Sequence, residues 1–126
     1  MNASENLIIN NNDRVLRRVM YLDPNFIKPD GIPASSSFTL KKDSSGALEK
    51  GLSVDVERFT SPEISIKDVT KYRLFALSVE FIRQINLDCI SDSVEGNSAH
   101  ALIIGNISKP QARKLASHSS RLHYPD

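Results

Sequence analysis

The chain has a single cysteine, Cys89, only five glycines, and no apolar run longer than "ALIIG". One thiol cannot make an internal disulfide, so a disulfide scaffold is excluded. With so little glycine there is neither a G-x-x-x-x-G-K-[ST] nor a G-x-G-x-x-G loop to cradle a phosphate. The G-x-S-x-G elbow that carries a hydrolase serine is missing, and so is the Asp-rich calcium loop. The apolar run falls far short of the roughly 20 residues that a membrane helix requires, so no membrane is expected. An excess of charge is lacking too. Sixteen Lys and Arg against fifteen Asp and Glu leave +1, which gives no overall field towards nucleic acid or an anionic membrane. The N-terminal "MNASENLIINNNDRV" has neither the basic start nor the apolar stretch of a signal peptide. Together with the lone cysteine, this sets the expectation of a cytoplasmic protein.

What is present describes a folding chain of one domain. At 126 residues with 40% apolar side chains it can bury one core. Residues 1–12, rich in asparagine, read as a mobile tail, 13–123 as the domain and 124–126 as a C-terminal tail. In "DRVLRRVMYL", Val15, Leu16, Val19 and Met20 fit a helical stripe, while the β-branched content fits a strand; the balance leans to strand. Pro24, Pro29 and Pro33 then impose an ordered loop, with Pro-Asp-Gly as its turn. "SFTL" reads as a strand entering a hairpin across "KKDSSGALEKG", with Ser35 and Ser37 on one face and Ser36 and Phe38 on the other. "LSVDVERF" alternates cleanly and predicts a strand buried on one face.

Further on, Thr60 and Glu63 form a capping-box pattern with Pro62 in the first turn, predicting a helix from about Pro62 to Tyr72. "RLFALSVEFIRQINLDCIS" splits into an apolar entry at Leu74 to Leu77, a short helix carrying Val79, Ile82 and Ile85, and a strand at Leu87 to Ile90. That strand pairs with "SAHALIIGNI". Ser108, Pro110 and Gln111 start a last helix that is expected to reach Leu122, with the stripe Ala112, Leu115, Ala116, Ser119 and Leu122 inward. The fold class is therefore α+β: a small single domain, mainly an antiparallel sheet with two or three helices.

Chemistry has few places to sit. His100, His118 and His123 with one cysteine lack metal-ligand spacing, so neither a metal nor another cofactor is expected. Cys89 and His100 fall on proposed neighbouring strands, but a cysteine in an apolar strand reads as an inert small hydrophobe. His100 in an apolar strand reads first as a satisfied core residue. If "VLRRVM" is a strand, Arg17 and Arg18 point to opposite faces, and the buried one requires a partner, with Asp30 and Asp55 as candidates. Lys109, Arg113, Lys114 and Arg121 make the last helix basic; without interleaved aromatics this is a weak nucleic-acid footprint.

The ordered motifs "LRRV", "PDG", "SSSF", "LSVD" and "AHALIIG" followed by a helix resemble those of a group of small, uncharacterised bacterial proteins. The likeness covers about residues 14–122 and implies no activity. It directs attention to Arg17, Arg18, Asp30, Ser36, Phe38, Ser53 and His100. A fainter resemblance is to ADP-ribosyltransferase-like folds, where a strand arginine and a later serine line a cleft; a late catalytic glutamate is missing, Glu95 being a poor substitute. The leading expectation is a non-enzymatic bacterial interaction protein, an adaptor or immunity-type subunit that docks on a larger protein. Its contacts would be Asp30, Ser35, Ser37, Arg113, Lys114 and Arg121. The alternatives are a small transferase or hydrolase using Arg17, Arg18, Ser36 and His100, and nucleic-acid binding through the last helix.

Overall fold

Strand periodicity at "RVLRRVM" and "LSVDV" builds the centre of the molecule. The structure is a computed structural model that describes residues 8–125. Six strands form one antiparallel sheet: β1 (Arg14–Met20), β2 (Leu52–Val56), β3 (Tyr72–Ser78), β4 (Asp88–Ser91), β5 (His100–Ile104) and β6 (Ser120–Arg121). Their spatial order is β4-β5-β2-β1-β3-β6. Three helices join them: α1 (Pro62–Ile66), α2 (Val79–Gln84) and α3 (Lys109–His118). The fold is thus the expected small α+β domain, and β1 is a strand.

Alternation sorts side chains onto two covered faces. On one, Val15, Val54, Leu77, Ala101 and Ile103 pack with Phe38, Ile82, Ala112 and Leu115, so α2, α3 and the Phe38 turn lie there. On the other, Leu16, Leu74 and Ala76 pack with Ile66 of α1, and Tyr72, Leu122 and Tyr124 lie against them. β2 is therefore central and buried on both faces, not one as its sequence pattern implied; even Asp55 is only 2% exposed. Gly51 makes the approach of β2 to β5 possible, since a Cβ there would stand 2.6 Å from the Ile103 carbonyl.

Several local readings change. "SSSF" is a 3-10 turn, Ser35–Phe38, not the start of a strand, so its serines do not alternate between faces. The expected hairpin after it shrinks to one bridge, Lys42 with Leu48, around an Asp43 turn. α1 stops at Ile66, where Lys67 takes a positive φ of 63°, and its cap is Ser61 and not Thr60. α3 ends at His118 because Ser119 turns extended, after which Ser120 and Arg121 pair with Ala76 and Phe75. Leu122 is consequently carried to the opposite face of the sheet from Leu115. Gln111 does not close the capping box: its amide donates to the Ile85 carbonyl, tying α3 to α2.

Described residues at both ends make contacts with the domain. Residues 1–7 lie outside the described residues, but those that follow are docked. Ile9 is buried in the core, Arg83 donates to its carbonyl and to Asn11, and Arg58 donates to the Ile8 carbonyl. Arginines distant in sequence thus hold to the domain a stretch whose own turn is closed by the Asn10 and Asp13 bonds. At the other end Tyr124 packs on the Leu16 and Leu74 cluster.

Two outcomes follow from this packing. Phe38 has no solvent exposure, so Phe38→Ala is expected to cost about 3–5 kcal/mol in urea unfolding; a loss below about 1 kcal/mol would contradict its anchoring role. Asp13 binds Arg58 through both oxygens at 2.8 and 3.0 Å, and this holds its carboxyl below the ordinary 3.8, while Arg83 does the same for Asp88. Depressed folded values stabilise above the unfolded pKa and are lost as pH falls through the folded one. Melting temperature should therefore hold from pH 7 down to about pH 4 and fall below it, and Asp13→Asn should flatten that fall.

Candidate functional site

β1 and β2 pair only at Val15 with Val56 and at Leu16 with Asp55. Beyond Leu16 they part, and the two arginines occupy the opening from opposite faces. Arg18 meets a carboxylate, as the strand reading required, and Asp55 is that partner. The Arg18 Nη1 donates to the Ser65 carbonyl at 2.8 Å and lies 3.5 Å from Asp55 Oδ2. Asp55 also accepts from Ser65 Oγ at 2.7 Å and from Asn97 Nδ2 at 3.0 Å. Asp30, the other candidate, instead accepts the Ile32 N–H inside its own turn.

Among the described residues no carboxylate pairs with Arg17. Its Nε donates to the Ser37 carbonyl at 3.0 Å and its Nη1 to the Ser53 carbonyl at 2.8 Å. Burial pushes its guanidinium below the ordinary value, with Glu49 opposing and Arg18 reinforcing the shift. An arginine keeps its proton even so, and the result is a partly buried cation. It lines a recess of about 210 Å³ together with Arg18, Lys41, Ser53, Phe26 and Tyr72.

Ser36 and Ser37 line the same recess, but their hydroxyl protons are committed. Ser36 Oγ donates to the Asn25 carbonyl and Ser37 Oγ to the Phe26 carbonyl at 2.5 Å. These bonds fasten the proline loop to the 3-10 turn. The Ile27 to Pro33 bridge and Ala34 N to Phe26 O at 2.9 Å complete the clasp, and Gly31 takes the positive φ of 84° that its turn demands. The loop is an ordered ledge.

A second recess, about 520 Å³, lies between that ledge and α3. Lys28, Ile32 and Ser35 come from the ledge, and Arg113, Lys114 and Ser117 from the helix. Three of the six residues expected to contact a partner, Ser35, Arg113 and Lys114, are thus brought together. Asp30 is exposed near the loop tip, Ser37 is buried, and Arg121 stands on β6 outside both recesses. Lys28 was the cation missed by sequence reading, because only the folded loop brings it opposite α3.

His100 is placed elsewhere. It pairs with Asp55 across the sheet, so its side chain is on the Arg18 face, and its Nδ1 lies 3.1 Å from Asp92 Oδ2. Of the four catalytic candidates, Arg17, Arg18 and Ser36 line one recess and His100 does not. Cys89 faces the core from the other side of the sheet, and burial pushes its thiol up to about 12, far from a thiolate at neutral pH. His118 stacks on Phe81 with ring centres 3.9 Å apart and remains exposed. Among the described residues no three His, Cys, Asp or Glu side chains converge to hold a metal, and no helix is long and apolar enough to cross a membrane.

The Asp55 network provides a direct check. Asp55→Ala strips the partner from Arg18, Ser65 and Asn97 at once, and about 3 kcal/mol of stability should be lost; Asp55→Asn, which keeps an acceptor for Ser65, should lose less. Equal losses in thermal or urea unfolding would show that only the charge matters. No family model matches the chain, and no curated protein and no solved structure matches it either.

Proposed function

We propose that the protein is a small interaction protein that takes an acidic segment of a larger protein partner into the groove between the proline loop and α3. The supporting observation is that Lys28, Arg113 and Lys114 converge on this groove with no carboxylate among its lining residues. None of the three is in an ion pair among the described residues. Ile32, 42% exposed, and Pro33 add an apolar floor beside the charges. An extended segment bearing carboxylates around one apolar residue complements both features.

Rigidity favours recognition. A ledge already fixed by Ser36, Ser37 and the Ile27 bridge has little order left to gain, so binding costs less conformational entropy. Ser35, whose carbonyl accepts from Thr39 Oγ1, stands at the groove with its hydroxyl free of any partner among the described residues. Ending α3 at His118 removes Arg121 from the helical surface. The positive face is then narrower than the sequence implied, which favours an acidic peptide over a nucleic-acid backbone.

Selection from a displayed random peptide library should enrich Asp and Glu flanking an apolar residue, with affinity falling as salt rises. The double exchange Arg113→Glu with Lys114→Glu should weaken the selected peptides by about tenfold or more. Absence of acidic enrichment, or equal binding by the double variant, would overturn the reading. Tighter binding of single-stranded DNA or RNA than of the selected peptides would favour the nucleic-acid alternative instead.

A further inference from the structure

The recess at Arg17 is a separate cationic feature, and the groove at α3 does not use it. We infer that it binds a small phosphomonoester, with the phosphate group seated on Arg17 and Lys41 and the organic part between Phe26 and Tyr72.

Three observations converge on this assignment. First, Arg17 is a partly buried cation whose partners among the described residues are carbonyl oxygens. Carbonyl dipoles satisfy two of its donors without neutralising its charge, so an anion brought to it gains Coulomb energy in a poorly screened place. Its Nη2 donates to nothing among the described residues, which leaves one edge of the guanidinium fork for an oxyanion. Second, Lys41 reaches the same recess, its Nζ lying 4.8 Å from the centre of the Phe26 ring. Arg18 is already matched by Asp55, so two cations remain, and these suit a dianion better than a single carboxylate. Third, Ser53 Oγ has no partner among the described residues and is therefore free to donate, unlike Ser36 and Ser37.

One carboxylate stands near. Glu49 is exposed, accepts the Lys41 backbone N–H at 2.9 Å and acts on Arg17 through space. It is no part of the recess lining, and its charge opposes an incoming anion. The volume of about 210 Å³ admits a phosphate with a small ring or chain attached and is too small for a folded partner's element.

Calorimetric titration with inorganic phosphate, phenyl phosphate and benzoate at one fixed ionic strength tests the assignment. The expected result is saturable one-to-one binding, with phenyl phosphate tighter than phosphate and benzoate weakest. Lys41→Gln should weaken phenyl phosphate several-fold, Arg17→Lys by about tenfold or more, and Glu49→Gln should strengthen it. Should Arg17→Lys fail to fold, because it loses two carbonyl bonds, the Lys41 and Glu49 variants decide, since both sit on the exposed segment. No saturable binding at millimolar phenyl phosphate, or affinities indifferent to Lys41 and Glu49, would overturn the proposal. So would benzoate binding as tightly as phenyl phosphate. Amide shifts on titration should fall at Arg17, Ser53 and Tyr72; shifts confined to Lys28, Arg113 and Lys114 would assign the anion to the other groove and refute this site while leaving the peptide reading intact.

Discussion

The guanidinium of Arg17, wedged where β1 and β2 part, sets the geometry of everything on the helical face of the sheet. Two strands that separate after two paired positions leave carbonyls without ladder partners, and buried carbonyls must find donors. Arg17 supplies them, one to Ser53 on β2 and one to Ser37 at the 3-10 turn. The turn is thereby fixed against the sheet, with Phe38 driven into the core beneath it. From the turn, Ser36 and Ser37 hold the proline loop, and the loop in turn forms one wall of the groove facing α3. Remove the arginine and each later step loses its reference point.

Arg17 and Arg18 are adjacent in sequence and opposite in environment, and the contrast shows how a sheet assigns different tasks to similar residues. Arg18 enters a network with Asp55, Ser65 and Asn97, where its charge meets a carboxylate and its Nη1 a carbonyl. A matched buried pair contributes little net stability but is costly to break, so it fixes α1 and the β4–β5 loop against β2. Arg17 gives two of its donors to carbonyls, and among the described residues its charge has no ion-pair partner. A fold that needed only a donor for two carbonyls would be served by a neutral side chain such as glutamine, without carrying the desolvation cost of a cation.

How much of this was legible in the sequence depended on the range of the interaction. Alternation in "LSVDV", the opposed arginines and the Pro-Asp-Gly turn are settled within a few residues, and the strands and the loop followed from them, while the choice of Asp55 over Asp30 as the arginine's partner needed the fold. The Ser108 cap and Pro110 placed the start of α3 for the same reason. Its end was not readable, because Ser119 leaves the helix to let Ser120 and Arg121 pair with β3, a partner some forty-five residues away. "SSSF" looked like strand because its serines and phenylalanine alternate, yet its hydroxyls bond to carbonyls eleven residues back, which only the closed loop presents. The docking of Ile9 and Asn11 was hidden for the same reason, since the arginine that holds both lies at position 83. Of the Arg17 recess, only Arg17, Arg18 and Ser36 were legible as neighbours; Phe26, Lys41 and Tyr72 reach it from distant segments, and His100 stands outside it.

Near-neutral total charge concealed a separation that the fold makes plain. Asp23, Asp30, Asp43 and Asp68 each accept a backbone N–H two residues on, so four carboxylates are turned inward on their own turns. Asp13, Asp55, Glu57 and Asp88 are paired with arginines, and Asp92 with His100. The acidic residues are thus largely occupied by structural tasks, while Lys28, Arg113, Lys114 and Arg17 have no carboxylate partner among the described residues. A sum of +1 says nothing about this division, because it weights a satisfied charge equally with a free one. The proline loop lies between the two groups of free cations, giving Phe26, Ser36 and Ser37 to one recess and Lys28, Ile32 and Ser35 to the other.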